Sequence, residues 1–181
     1  MFGAFGKKAA KKQAAKKLLL DQYRAQFGVY IQNGDMEGII NNDSYAAGYF
    51  FGKQANMLAH MINTGQAERS DRDELTFLLM EDLFGGDAAG RVLRSIRHHF
   101  EAKDSQFSEG SEKAARVVAF AVGALPYRSD PDYSMALARF QDKETAYGSM
   151  IASDDHSAVI LGFEQLWIGD RLERLVFGDN G

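Results

Sequence analysis

The stretch SYAAGYFFGKQANMLAHMIN, residues 44–63, carries apolar side chains on almost every side of the helix that it predicts. Asp43 or Ser44 can cap the start of this helix. Its large apolar residues are Tyr45, Phe50, Phe51, Met57, Leu58, Met61 and Ile62. A helix that is apolar all round is buried inside a protein. We therefore predict an all-α fold, a single-domain bundle of six to eight helices around a central buried helix near residues 44–63.

Small residues line one face of the predicted central helix. They recur at spacings of four, three and four positions: Gly48, Gly52, Ala55 and Ala59. Where side chains are this small, the backbone of a neighbouring helix can approach closely. We therefore predict that this face packs against another helix at short range.

The remaining side of the central helix carries a polar strip, formed by Tyr49, Lys53, Asn56 and His60. Polar groups on an otherwise apolar helix must reach water or polar partners. Lys53 and His60 are seven residues apart, about two turns along one face. The strip either makes structural hydrogen bonds, the interpretation that we favour, or binds a ligand. Acid–base chemistry would need a carboxylate from elsewhere, and the candidates are Asp82, Asp132 and Glu164.

A basic segment precedes the central helix. Residues 1–17, the basic arm, contain no acid and six lysines: Lys7, Lys8, Lys11, Lys12, Lys16 and Lys17. The arm has a formal charge of +6, whereas residues 18–181, the predicted single helical domain, have a formal charge of −10. Such an asymmetry is typical of an interaction tail. Three interpretations remain open for the arm: a solvated leader, a segment on an anionic membrane surface, or a binder of nucleic acid or acidic protein.

A helix is predicted from about residue 7 to residue 27, since Leu19, Tyr23 and Phe27 recur at a spacing of four. The pair Asn33-Gly34 ends this helix. Asn-Gly is also the strongest short hairpin signal. Residues 28–41 are therefore either helical or a small hairpin.

A basic face is predicted on the helix from about residue 87 to residue 103. Its side chains are Arg91, Arg94, Arg97, His98 and Glu101. Either this face is solvated, with Glu101 pairing with an arginine one turn away, or Arg91, Arg94 and His98 bind the carboxylates of a partner. Nucleic acid is the weaker candidate for this face, because the rest of the domain is acidic and repels a duplex.

Turn signals divide the following part of the chain. Residues 104–111, DSQFSEGS, predict a flexible loop, and Ser111 can cap a helix that Pro126 stops. Asp130, with Pro131 at the first helical position, predicts the start of the next helix.

The last segment begins at Asp154 or Asp155 and contains two glycines, Gly162 and Gly169. No single apolar stripe fits its whole length. We predict two helices broken at Gly169-Asp170, with a hairpin around that pair, within residues 159–177, as the alternative.

Catalytic and cofactor motifs are absent from the sequence. It contains no GxxxxGK[ST], GxGxxG, HExxH or GxSxG pattern, no EF-hand loop and no Glu-x-x-His pair. It also contains no cysteine, which excludes disulfides and thiolate chemistry and is consistent with a cytoplasmic protein. No segment approaches the roughly 18 apolar residues of a membrane span. We predict no metal and no cofactor.

The composition, with 45% hydrophobic and 25% charged residues in 181, is typical of a globular domain. We predict a non-enzymatic intracellular interaction or regulatory protein, either cytoplasmic or peripheral at a membrane, whose main partner is another protein. The basic arm would contact acidic partners, anionic surfaces or nucleic acid. The alternative is a small-molecule-binding protein or an enzyme that uses the polar strip.

Overall fold

The computed structural model describes residues 2–147 and 156–178 of the chain. Nine α-helices occur within these ranges: α1 Phe2–Gln32, α2 Asp35–Asn42, α3 Ser44–Asn63, α4 Arg72–Phe84, α5 Gly86–Glu101, α6 Ser105–Ala121, α7 Tyr133–Tyr147, α8 His156–Glu164 and α9 Asp170–Phe177. Short 3-10 turns at Arg69–Asp71 and Tyr127–Ser129 precede α4 and α7, and a π turn at Gln165–Gly169 joins α8 to α9. The described residues include no strand, so the prediction of an all-α bundle is confirmed.

Helix α3 is the central helix, with the predicted bounds. Asp43 caps its start, since Asp43 Oδ1 accepts a hydrogen bond of 2.8 Å from the backbone N–H of Ala46. Tyr49 and Phe50 are completely buried. The prediction of a buried helix at residues 44–63 is therefore confirmed.

Helices α3 and α6 run parallel at very short range. A Cβ atom built on Gly48 would lie 2.7 Å from the carbonyl carbon of Phe107, and one built on Gly52 would lie 2.6 Å from the carbonyl oxygen of Ser111. From the first of these contacts to the second, the residue number rises by four in α3 and by four in α6. The two helices therefore run in the same direction. The predicted close approach is confirmed for this half of the stripe. Ala55 is only half-buried and Ala59 is exposed, so the second half of the stripe is less deeply buried than the first half.

The hairpin alternative for residues 28–41 is wrong. Helix α1 continues to Gln32, Gly34 adopts a left-handed conformation with φ 77°, and α2 follows at once. Three side chains of α2 are buried at helical spacing: Met36, Ile39 and Ile40. Burial on one helical face fixes α2 against the core, and Asn33-Gly34 serves as a helix-to-helix turn.

The loop predicted for residues 104–111 is also wrong, because this segment is the first half of α6. Asp104 is the cap, with its Oδ1 accepting from the backbone N–H groups of Gln106 at 2.8 Å and Phe107 at 3.2 Å. Phe107 is 4% exposed and Gly110 is buried against α3. The cap and this burial outweigh the turn preference of Ser and Gly, so Ser111 lies inside the helix.

The C-terminal helices differ from prediction in two places. Helix α7 begins at Tyr133 and not at the predicted Pro131. A turn precedes it, in which Asp130 Oδ1 accepts a hydrogen bond of 2.9 Å from the backbone N–H of Asp132. The hairpin alternative within residues 159–177 is wrong: the backbone stays helical, with φ −58° and ψ −51° at Gly169. The predicted boundary at Gly169-Asp170 is the end of the π turn. The predicted caps Asp154 and Asp155 lie outside the described residues.

Helix α1 is continuous through the basic arm and packs along α4. Ala15 and Leu19 are buried, at 2% and 0% exposure, so the contact with the core begins within the arm. None of the described helices combines the length and the apolarity that a membrane crossing needs.

Candidate functional site

The lysines of the basic arm face an acidic row on the body of the protein. Three arm lysines form ion pairs with it: Lys8 Nζ lies 2.9 Å from Glu68 Oε2, Lys12 Nζ lies 2.7 Å from Glu74 Oε2, and Lys16 Nζ lies 2.8 Å from Asp82 Oδ2. Lys8 Nζ also lies 3.9 Å from Asp71 Oδ1. The hydrogen bond from Lys8 lowers the pKa of Glu68. The positive charge of the arm is thus largely matched within the protein.

The other three arm lysines are placed differently. Lys17 pairs with Asp21 of its own helix. Lys11 makes no hydrogen bond or ion pair with a described residue. The side chain of Lys7 lies outside the described part of the structure.

Reversing Lys12 and Lys16 to glutamate together is expected to lower the free energy of unfolding by about 1 kcal/mol, because partly exposed ion pairs contribute little each. Urea unfolding at low salt measures this change. The swapped variant, which adds Glu74→Lys and Asp82→Lys, should recover most of the loss. Equal stability of the reversed and natural proteins at low salt would contradict the pairing.

Lys53 is buried in an ion pair with Glu164. Lys53 Nζ donates to Glu164 Oε1 at 2.5 Å and also to Gln26 Oε1, and the two side chains are 5% and 12% exposed. The pair connects α1, α3 and the end of α8. Of the three acids considered as partners for Lys53, only Glu164 meets it, since Asp82 pairs with Lys16 and Asp132 pairs with Lys113.

Buried polar atoms without a hydrogen-bond partner occur on α1 and α3, the helices that carry Gln26 and Lys53. Among the described residues, the hydroxyl of Tyr49 and the amide nitrogens of Gln26 and Gln54 are buried without a hydrogen-bond partner. Burial raises the pKa of Tyr49 well above its ordinary value, so its phenol stays neutral. The polar atoms of these residues are thus buried within a core that is otherwise mainly apolar.

The remaining members of the polar strip lie apart from the ion pair. Asn56 Nδ2 donates to the carbonyl of Gly52 in its own helix at 2.8 Å. His60 is half-buried, and it makes no hydrogen bond to Lys53 within the described structure. The structure therefore brings Tyr49 and Lys53 into one polar cluster but does not join Asn56 or His60 to it.

The basic face of α5 contains both paired and unpaired arginines. Arg91 binds Glu37 of α2 through two hydrogen bonds, from Nε to Oε1 at 2.5 Å and from a terminal nitrogen to Oε2 at 3.2 Å, and this lowers the pKa of Glu37. Arg94 and Arg97 are exposed and make no hydrogen bond or ion pair with any described residue. His98 is exposed beside them.

An exposed aromatic ring continues this face. Phe100 is 63% exposed and lies three residues after Arg97, so the two are neighbours on the helix surface. Its ring centroid lies 6.4 Å from that of Phe51 and 6.4 Å from that of Phe107. We call Arg94, Arg97, His98 and Phe100 the α5 surface.

A cleft of about 330 Å³ opens elsewhere, between α3, α6, α7 and α9. It is lined by Tyr45, Glu109, Lys113, Asp132, Met135, Leu166, Trp167, Arg171 and Arg174. Asp132 Oδ2 accepts from Lys113 Nζ at 2.8 Å and from Trp167 Nε1 at 3.0 Å, and the hydrogen bond from Lys113 lowers the pKa of Asp132. Burial, with the nearby Glu109, raises the pKa of Tyr45 to about 12.

Sequence reasoning did not find this cleft. One signal was available, since the single tryptophan of the chain, Trp167, is followed at four and seven residues by Arg171 and Arg174, on one helical face. The π turn and the contact with α6 bring Lys113 and Asp132 to the same place, and no local pattern indicates that.

Within residues 2–147 and 156–178, no three His, Asp or Glu side chains are grouped to hold a metal ion. Comparison with models of protein families, with curated proteins and with solved structures finds no match for this chain.

Proposed function

We propose that this chain is a non-enzymatic interaction protein that binds an acidic segment of a partner protein on the α5 surface. One observation carries the proposal. Arg94 and Arg97 keep their guanidinium groups in solvent with no described acid to pair with, although the domain that bears them is acidic overall. The neighbouring Arg91 and three arm lysines, by contrast, are matched by acids of the chain itself.

The chemistry of the α5 surface supports a protein as the partner. Arginine is among the residues that contribute most to protein–protein binding, and phenylalanine is enriched at such interfaces. Phe100 supplies an apolar contact beside Arg97, so an acidic segment that also carries an apolar side chain would satisfy both. The negative charge of the domain as a whole disfavours nucleic acid.

The other candidate functions have less support. Binding of anionic surfaces or nucleic acid through Lys8, Lys12 and Lys16 would first have to break their ion pairs with Glu68, Glu74 and Asp82. A ligand site on the polar strip would have to compete with Glu164 for the ammonium group of Lys53.

The test is binding of a labelled peptide that alternates glutamate with leucine, measured by fluorescence anisotropy. The double variant Arg94→Glu with Arg97→Glu is expected to weaken binding at least tenfold, because two repulsive contacts replace two attractive ones. Its melting temperature should remain nearly unchanged, since both side chains are exposed.

Arg24→Glu is the matched control, because Arg24 is another exposed arginine without a described partner and lies on α1. It should leave the peptide affinity within about twofold of the natural protein. Equal weakening by Arg24→Glu and by Arg94→Glu alone, which change the net charge by the same amount, would show that overall charge, not the α5 surface, drives binding. Absence of binding by the natural protein would also overturn the proposal.

A further inference from the structure

The cleft between α3, α6, α7 and α9 contains charges that the protein itself has already matched. Lys113 pairs with Asp132, and its ammonium lies 4.4 Å from the centroid of the Trp167 ring. Arg171 donates to both carboxylate oxygens of Asp43, at 3.0 Å and 2.9 Å, and its guanidinium carbon lies 4.8 Å from the centroid of the Tyr45 ring. Lys113 and Arg171 on the wall of the cleft are therefore each paired with a carboxylate of the protein.

Two further side chains of opposite charge line the same cleft, and no described residue pairs with them. Glu109 on α6 and Arg174 on α9 are both exposed, and neither makes an ion pair or hydrogen bond with a described residue. They also do not pair with each other. With respect to the described residues, the cleft therefore offers one unpaired carboxylate and one unpaired guanidinium, on two different helices.

Apolar and aromatic side chains line the same cleft as these two charges. Tyr45, Met135, Leu166 and Trp167 line the cleft, and Met135 is 52% exposed although it is apolar. The volume of about 330 Å³ lies at the lower end of the range of small-molecule sites. A ligand of this size that satisfied both charges would carry an ammonium group for Glu109, a carboxylate for Arg174 and an apolar group for the walls.

We infer that this cleft binds a small zwitterion with an apolar side chain, of the class of the apolar α-amino acids. This site is separate from the α5 surface and does not depend on the function proposed for it. The carboxylate of the ligand would be held by Arg174, whose planar guanidinium can donate two parallel hydrogen bonds. Its ammonium group would be held by Glu109.

Trp167 provides the signal for the test, because it is the only tryptophan in the chain and lies in the cleft. The full chain is titrated with L-leucine, and its tryptophan fluorescence is measured with calorimetry as a second readout. Saturable binding is expected. N-acetyl-leucine, which lacks the ammonium group, and leucinamide, which lacks the carboxylate, should each bind at least tenfold more weakly, and glycine should not bind detectably.

Two variants test separately which side chain binds the ammonium group and which binds the carboxylate of the ligand. Glu109→Gln should remove the discrimination against N-acetyl-leucine, and Arg174→Gln should remove the discrimination against leucinamide. Glu112→Gln is the matched control, since Glu112 is exposed on the same helix and is not part of the cleft. Failure of leucine to bind, or equal binding of leucine and its two derivatives, would overturn the inference. An unchanged discrimination in both variants would overturn the assignment to this cleft.

Discussion

Alanine at Gly48 is expected to lower the free energy of unfolding by about 3 kcal/mol, and leucine by more, because overpacking a core forces backbone shifts. The Cβ atom of any residue at this position would meet the backbone of Phe107, 2.7 Å from its carbonyl carbon. A backbone group cannot rotate away as a flexible side chain can. Helices α3 and α6 would therefore have to separate, and urea unfolding of the two variants measures the cost.

Gly28→Ala is the control for this prediction. Gly28 lies within α1, and a Cβ atom built on it meets nothing within 4 Å. Alanine in an open helical position stabilises by about 1 kcal/mol relative to glycine. The change from glycine to alanine should thus raise the free energy of unfolding at position 28 and lower it at position 48. A stabilising Gly48→Ala variant would show that the close packing of α3 on α6 is absent in solution.

Removing the carboxylate of Glu164 is expected to have the second large effect. Glu164→Leu should lower the free energy of unfolding by about 3–5 kcal/mol, since it leaves the charge of a buried lysine without its partner. Lys53 is 5% exposed in this pair, and no other acid is bonded to it within the described structure. Denaturant unfolding measures the loss, and Lys53→Met should cause a loss of similar size.

The double variant Lys53→Met with Glu164→Leu distinguishes lost charge pairing from lost packing. Replacing a buried ion pair by apolar residues of similar size is often neutral or stabilising. The double variant should therefore be more stable than either single variant. Simple addition of the two single losses would mean that the side chains contribute independently, which would contradict the buried pair.

The local sequence was sufficient to predict a helix where the bounds of that helix depend on its own residues. The bounds of α3 follow from the cap Asp43 and from apolar side chains on almost every side, and both are properties of neighbouring positions. Gly48 and Gly52 likewise indicated a close helix contact before the partner was known. The same reasoning failed for residues 104–111, because it weighed the turn preference of Ser and Gly without the burial of Gly110 against α3.

The charges show the limit of local reasoning most clearly. The sequence indicated that Lys53 needs a polar partner, yet it did not distinguish Glu164 from Asp82 or Asp132. It indicated a basic arm, yet not that Glu68, just before α4, and Glu74 and Asp82 on α4 match three of its lysines. A helix forms from hydrogen bonds and side-chain spacing within a few residues, whereas Lys53 and Glu164 are separated by 111 positions. Which distant charges meet is decided only when the helices pack, because the strength of an ion pair depends on distance in space and on burial.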